Sequence, residues 1–292
     1  MLSPELVANA NRQLDGSSIF LLVGSQRCGS NLVREVLSTN PHMVVHGEVL
    51  YPYPLPNSFH TFVRTLIYRQ MPPLYDEDAM GVLDDYLVFL REDGKRSYPA
   101  KAGSIRAVGI DVKYNQLRFV TPVHHDLGRR PLLLDYCASR SIPIVHLVRT
   151  NVLQQALSIA IAEVTGAFHR FGAGAGRRGP VPIDGSRLLE SARWIESETA
   201  AFRSMTAGIR VHELSYERIV SACAKVEPGD AFGPSARVLT DIATSLGVEF
   251  GFTHPTSIKK VIDRPYREIV SNYDELVASV RGSEFEPFLA AI

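Results

Sequence analysis

The chain has 292 residues, 45% of them hydrophobic and 21% charged, which suits a folded globular protein and is too apolar for a disordered one. Lys and Arg number 31, and Asp and Glu number 31, so the formal net charge is zero and general binding to nucleic acid or a membrane surface is disfavoured. Three widely spaced cysteines, Cys28, Cys137 and Cys223, fit neither a disulfide framework nor a metal site.

In chain order, residues 1–18 come first, polar and mixed in charge, without the apolar centre of a signal peptide. No later run reaches the roughly 18 apolar residues of a transmembrane helix, so a soluble, cytoplasmic protein is expected. Residues 19–24 (IFLLVG) read as a strand buried on both faces. Leu32, Val33, Val36 and Leu37 then recur at helical spacing. Within VVHGEVLYPY (44–53), His46 and Glu48 read as the end of a short extended stretch, followed by the irregular YPYPLP at 51–56. Further strands are expected at 107–113 (AVGIDVK), 142–148 (IPIVHLV) and 209–214 (IRVHEL). After the third strand candidate, Val152, Leu153, Ala156, Leu157, Ala160 and Ile161 make one apolar stripe, with Asn151 as its N-cap. A less strict stripe comprises Leu188, Ala192, Ile195, Thr199 and Phe202; between the two, 171–186 (FGAGAGRRGPVPIDGS) reads as a mobile surface loop.

Strands alternating with helices imply an α/β fold: a three-layer, P-loop-like domain with a central, mostly parallel sheet flanked by helices. One domain is expected over 1–292, with its core at about 18–290.

The strongest local signal runs from residue 19 to 37. A buried strand ends at Gly24, a short loop follows, and a helix begins near Gly29. That layout aims backbone N–H groups and a helix N-terminus at one anion. Ser25, Ser30 and Asn31 add donors, and Arg27 adds a permanent positive charge with a fork suited to phosphate or sulfate. Compared with the nucleotide-hydrolase loop G-x-x-x-x-G-K-[ST], Gly24 and Gly29 keep the spacing. Ser30 stands in place of the Lys, however, and Asn31 in place of the Mg²⁺-binding hydroxyl. An anion bound without a bridging metal is the chemistry this loop suits. The plain alternative is a Gly/Ser turn.

A second candidate anchor is HLVRTNVLQQALSIAIA, residues 146–162. Arg149 sits at a strand's C-terminal end, where ligands gather in open α/β sheets. Ser158 lies two helical turns above Asn151, on the face opposite the apolar stripe. The plain alternative is a capped helix with one surface Arg and one surface Ser.

Together the two segments resemble the sulfotransferases that use 3′-phosphoadenosine-5′-phosphosulfate (PAPS). SQRCGSN (25–31) is similar to that family's 5′-phosphosulfate loop and LVRTNVLQQALS (147–158) to its 3′-phosphate element. The spacing R-x-N-x-L-x-Q-A-L-S is most like the bacterial carbohydrate branch, the trehalose and Nod-factor type. GIDVKYNQL (109–117), LSYERIV (214–220) and IVSNYDELVASVRGSEFEPFL (269–289) resemble further family segments.

The resemblance implies sulfuryl transfer from PAPS to a hydroxyl of a carbohydrate, glycolipid or other small metabolite, with 3′-phosphoadenosine 5′-phosphate (PAP) as product and no metal. It places Ser25, Gln26, Arg27, Cys28, Gly29, Ser30 and Asn31 at the 5′-phosphosulfate, and Arg149 and Ser158 at the 3′-phosphate. Tyr216 is expected near the adenine, and Lys259 and Lys260 add charge from a C-terminal loop. Glu48 is the expected base, with His46 second; an extended stretch would put both on one face. Arg27 stabilises charge; Lys113, at the end of a strand, either neutralises a sulfate or bridging oxygen or is a solvated strand end.

Three departures stand out: Arg27 where many members have Lys, Cys28 where Ser or another small residue is common, and nine residues from Arg149 to Ser158, one more than in the cytosolic eukaryotic branch and read as a mark of the bacterial one. Trp194 reads as a packing or acceptor-cleft aromatic, and Phe59, Phe62 and Tyr68 as acceptor contacts together with YPYPLP. The expected partner is a small-molecule acceptor, with no nucleic acid and no membrane span; a homodimer stays open. The other readings are a P-loop kinase or phosphotransferase, and a nucleotide-binding protein without catalysis.

Overall fold

The computed structural model describes residues 18–68, 78–121, 129–166, 179–233, 236–256 and 264–292. Five parallel strands form one sheet: β1 (Ser18–Gly24), β2 (Met43–His46), β3 (Ala107–Lys113), β4 (Ile144–Val148) and β5 (Val211–Ser215), in the order β2-β3-β1-β4-β5. The first strand therefore lies at the centre, and its C-terminal end opens between those of β3 and β4. The expected α/β architecture holds.

β1 shows how the sequence builds both faces. Its side chains alternate at period two, so Ile19, Leu21 and Val23 enter one core while Phe20 and Leu22 enter the other. On the first face pack α2 (Phe59–Tyr68), α3 (Ala79–Ser97) and α4 (Leu132–Ser139). On the second lie α1 (Ser30–Thr39), α7 (Tyr216–Cys223) and α8 (Arg237–Leu246). A third cluster joins α5 (Val152–Thr165), α6 (Gly185–Met205), the short α9 (Tyr266–Ile269) and α10 (Tyr273–Val280). Leu188, Ala192, Ile195, Thr199 and Phe202 are all buried, as their spacing predicts. No helix among the described residues is long and apolar enough to cross a membrane.

Two strands start later than expected. The Ile142 N–H bonds back to the Cys137 carbonyl at 2.9 Å and closes α4, and Pro143 can only accept, so β4 begins at Ile144. Likewise the Ile209 N–H closes the turn after α6 on Thr206, delaying β5 to Val211. β2 is a true edge strand paired with β3, where the sequence shows only a short extended stretch.

Asn151 caps α5 as expected, its Oδ1 accepting the Gln154 N–H at 2.8 Å. Of the Gly/Arg-rich segment, 171–178 lies outside the described residues, and the rest is not a mobile loop. Val181 pairs with Val270, and Asp184 caps α6 by accepting the N–H groups of Ser186 and Arg187. Phe59 and Phe62 pack in the core against Tyr86 rather than facing an acceptor, because α2 turns its aromatic side onto α3; the Tyr68 side chain lies outside the described residues. Trp194 is 66% exposed on α6 and has no packing role.

Candidate anion and proton-transfer site

The loop between β1 and α1 is shaped by two residues in the left-handed region, Arg27 (φ 59°) and Gly29 (φ 94°). For Arg27 that conformation is sparsely populated, and it persists because neighbours hold the loop. Gln155 is the main brace: from α5 its buried Nε2 donates to Ser25 Oγ at 2.5 Å and to the Gln26 carbonyl at 2.6 Å. Gly29 is required twice over, by its positive φ and because a Cβ there would overlap the Tyr216 ring. No side chain caps α1, and its first turn holds no acid. Its leading N–H groups therefore meet neither a capping side chain nor an acid of their own turn, which favours an anion there. Cys28 faces inward beside Gly24, and burial pushes its thiol up to about 11, so only its backbone can serve a ligand.

Beside the loop stands a pair of arginines. Arg27 Nε donates to Ser158 Oγ at 3.1 Å. Arg149 donates through Nη1 to the Arg27 carbonyl at 3.4 Å and through Nη2 to Gln154 Oε1 at 2.6 Å. Its guanidinium lies 5.0 Å from the Tyr216 ring centre, within cation–π range. Burial, with Arg149 as the second cause, holds the Arg27 pKa below its ordinary value. Two like charges so placed favour an anion between or beside them. Arg149 Nε, buried, has no hydrogen-bond partner among the described residues and is an unspent donor. Glu217 fixes the turn that carries Arg149, accepting the N–H groups of Thr150 and Asn151 at 3.1 and 3.2 Å. Burial alone would raise that carboxyl, but these hydrogen bonds outweigh it and hold its pKa below the ordinary value.

On the other side of the loop, β3 delivers Lys113. It is not a solvated strand end: it is 3% exposed, donating to Ser30 Oγ at 2.7 Å and paired with Asp111, two residues back on the same strand face. Burial alone would lower the ammonium's pKa; Asp111 outweighs that and keeps it above the ordinary value. Glu48 Oε1 lies 3.8 Å from Lys113 Nζ, and Glu48 Oε2 accepts from Gln116 Nε2 at 2.6 Å. Gln116 Oε1 in turn accepts the Lys113 backbone N–H at 3.1 Å. Because an N–H can only donate and a carboxylate normally accepts, this pairing also fixes which way the Gln116 amide points.

His46 takes a different place. β2 ends at His46 and the chain bends at Glu48, where the Val49 N–H closes on the Gly47 carbonyl at 2.7 Å, and His46 and Glu48 meet different partners rather than sharing a face. The buried His46 Nε2 donates to the Leu90 carbonyl at 2.9 Å, under α3 and away from the loop. Burial lowers its pKa, with Asp93 opposing.

The structure thus brings Ser25–Asn31, Arg149, Ser158 and Tyr216 to one side of the loop helix and Lys113 and Glu48 to the other. Lys259 and Lys260 lie outside the described residues. Among the described residues no group of His, Cys, Asp or Glu is arranged to hold a metal ion.

Four residues that matter here have no role in the sequence reading. Asp111 is legible in hindsight as the period-two neighbour of Lys113, and Gln155 as the central Gln of the 147–158 element. Gln116 and Tyr266 gave no signal. Tyr266 comes from α9, more than a hundred residues from either arginine, and burial raises its hydroxyl pKa while Arg149 and Arg27 beside it pull the other way.

No family model matches the chain, and no curated protein matches it. Among solved structures the chain is similar to a sulfotransferase from Alicyclobacillus acidocaldarius, 16% identical, with 93% of this chain and 92% of that one covered at a TM-score of 0.42. A likeness that distant says nothing of activity.

Proposed function

We propose that this chain is a sulfotransferase that moves the sulfuryl group of PAPS to a hydroxyl of a small molecule. The observation that carries the reading is the cluster at the start of α1. Ser30, Lys113 and Glu48 form one contiguous group, so a cation and a carboxylate stand together at a helix N-terminus flanked by Arg27 and Arg149. The departures from the nucleotide-hydrolase loop agree with it. The loop lacks its own Lys, and Lys113 from the next strand supplies the missing charge at Ser30, while Asn31 offers no hydroxyl for Mg²⁺. A magnesium-dependent phosphotransferase is disfavoured on that ground.

Sulfuryl transfer resembles phosphoryl transfer: in-line attack, with charge spread over the equatorial oxygens and the departing phosphate. In this reading the N–H groups of residues 25–31 and the Arg27 guanidinium hold the 5′-phosphosulfate, and Arg149 and Ser158 hold the 3′-phosphate. Arg27, now bonded to Ser158, then exchanges that neutral partner for a charged one, the stronger kind of hydrogen bond. Tyr216, already against Gly29 and Arg149, offers a flat face to the adenine.

Glu48 takes the proton from the attacking hydroxyl through Oε1, the oxygen that Gln116 leaves unengaged. The acceptor oxygen bonds to sulfur as the sulfur–phosphate oxygen bond breaks. Lys113 neutralises charge on the transferred group or the leaving oxygen. The carbohydrate acceptor implied by the resemblance has no separate support in the described residues.

The test is Glu48→Gln. It binds PAP as the unsubstituted protein does and consumes no PAPS in the presence of hydroxyl acceptors. Full activity in that variant removes Glu48 as the base, and failure of the unsubstituted protein to bind PAP removes the reading as a whole.

A further inference from the structure

Six large hydrophobic side chains stand exposed among the described residues: Tyr53, Leu55, Tyr98, Phe119, Val164 and Trp194. Single exposed apolar residues are ordinary on a protein surface; contiguous ones are not. Three of the six are carried by the two turns that also hold Glu48 and Gln116. The Tyr51 N–H bonds to the Glu48 carbonyl at 3.1 Å and starts the 51–56 turn, and the Phe119 N–H bonds to the Gln116 carbonyl at 3.0 Å. Tyr51 joins the turns into one patch: its ring centre is 4.2 Å from that of Tyr53 and 5.7 Å from that of Phe119, the latter edge to face at 75°. The aromatic patch is therefore joined, through the backbone and through ring contacts, to the turns that carry Glu48 and Gln116.

We propose that Tyr51, Tyr53 and Phe119 form the acceptor subsite, and that it takes a neutral compound whose reacting hydroxyl is borne on a flat, apolar ring system. This rests on the reading of Glu48 as the base. Charge supplies the first argument. A carboxylate and the electron-rich faces of three rings disfavour an anionic acceptor. Hydrogen bonding supplies the second. From 51 to 56 the side chains are Tyr, Pro, Tyr, Pro, Leu and Pro, so two phenol hydroxyls are all this turn offers. Gln116 is committed, with both polar atoms of its amide engaged by Glu48 and Lys113. A polyhydroxylated sugar buried against such a surface leaves hydroxyls unpaired, at about 1–3 kcal/mol for each. A ring with one hydroxyl leaves none, and it gains apolar burial and ring stacking besides.

The probe is 2-naphthol, with methyl α-D-glucoside as the contrasting neutral sugar. Binding of each to the full chain is measured by calorimetry, with and without saturating PAP, in the unsubstituted protein and in Tyr53→Ala and Phe119→Ala. Both substituted residues are exposed, so neither change removes core packing; circular dichroism checks the fold. We expect 2-naphthol to bind in preference to the glucoside and to weaken roughly tenfold in each variant, with PAP affinity unchanged. In turnover with PAPS, KM for 2-naphthol should rise while kcat holds.

The inference is overturned if 2-naphthol does not bind, if the variants bind it as well as the unsubstituted protein does, or if the glucoside is preferred. Failure to bind PAP overturns the sulfotransferase reading by a separate result, because the naphthol comparison without PAP still reports on the patch.

Discussion

Glu48 has two oxygens with different duties. Gln116 donates to Oε2 and leaves Oε1 toward Lys113 and the start of α1, so the orientation of the proposed base depends on a residue with no charge of its own. Gln116→Met keeps the length of the side chain and removes the donor. It should lower turnover roughly tenfold to a hundredfold while PAP affinity is unchanged, because misplacing a reacting group by about 1 Å costs that much. Steady-state kinetics beside PAP calorimetry check this, and unchanged turnover would remove Gln116 from the account.

Gly29 gives a second residue-scale prediction, of opposite kind. Gly29→Ala forces a Cβ onto Tyr216 at a positive φ, so it should destabilise the fold by about 1–3 kcal/mol and weaken PAP binding together. Chemical denaturation and PAP titration of that variant test the pair of effects, and a stable variant with full PAP affinity would contradict the close contact. The residues to which the proposed chemistry is assigned, Arg27, Ser30, Arg149 and Glu48, stand out in the sequence from loop spacing and resemblance. Their braces do not: Gln116 and Gln155 are neutral amides, and nothing in sequence marks an amide that will be buried and fully engaged.

Among the elements, β4 leads into the arginine proposed to hold the 3′-phosphate and carries a buried titratable group. Arg149 follows its last residue, while His146 within it is wholly buried, with Nε2 hydrogen-bonded to the Tyr114 hydroxyl at 2.6 Å and Nδ1 3.4 Å from Glu213 Oε2. Burial holds its pKa to about 4 against 6.5 when free, with Glu213 opposing. The unfolded chain therefore takes up the proton first as pH falls. Stability declines from about pH 6.5 to about pH 4 and this contribution then stops changing, a loss on the order of 3 kcal/mol. His46, also lowered by burial, acts in the same direction. His146→Gln keeps a hydrogen-bonding group for Tyr114 and cannot titrate. Denaturant unfolding at pH 7 and pH 4 should show a smaller acid loss in that variant, and equal losses would contradict the assignment. At the N-terminus of α5, Asn151→Ala should cost about 1 kcal/mol through the lost cap.

At the scale of the whole molecule, the strand order β2-β3-β1-β4-β5 places β1 at the centre, and its loop receives Lys113 from one neighbour and Arg149 from the other. That convergence explains why the architecture was readable: buried strands announce themselves as apolar runs, and the anion loop follows the most apolar of them. β2 was harder to see, since four residues at a sheet edge give too little alternation. The edge nevertheless decides chemistry, for its end sets where Glu48 leaves the sheet and where His46 is retained under α3. Tyr51 and Tyr53 were readable within YPYPLP as acceptor contacts. Tyr266 and the Phe119 side of the patch were illegible for a different reason, because each depends on turns meeting across long separations in the chain.

The measurement that bears most directly on this account is PAP binding by calorimetry in the presence of a metal chelator, set beside ATP with Mg²⁺. Charge-assisted hydrogen bonds from Arg149 should make PAP affinity independent of metal and roughly tenfold to a hundredfold weaker in Arg149→Ala. At 100 times its Kd, PAP should also stabilise the fold by about 2.7 kcal/mol. Binding of ATP with Mg²⁺ alone, or PAP affinity untouched by Arg149→Ala, would contradict the central claim that this loop and these arginines hold a doubly phosphorylated nucleotide without a metal.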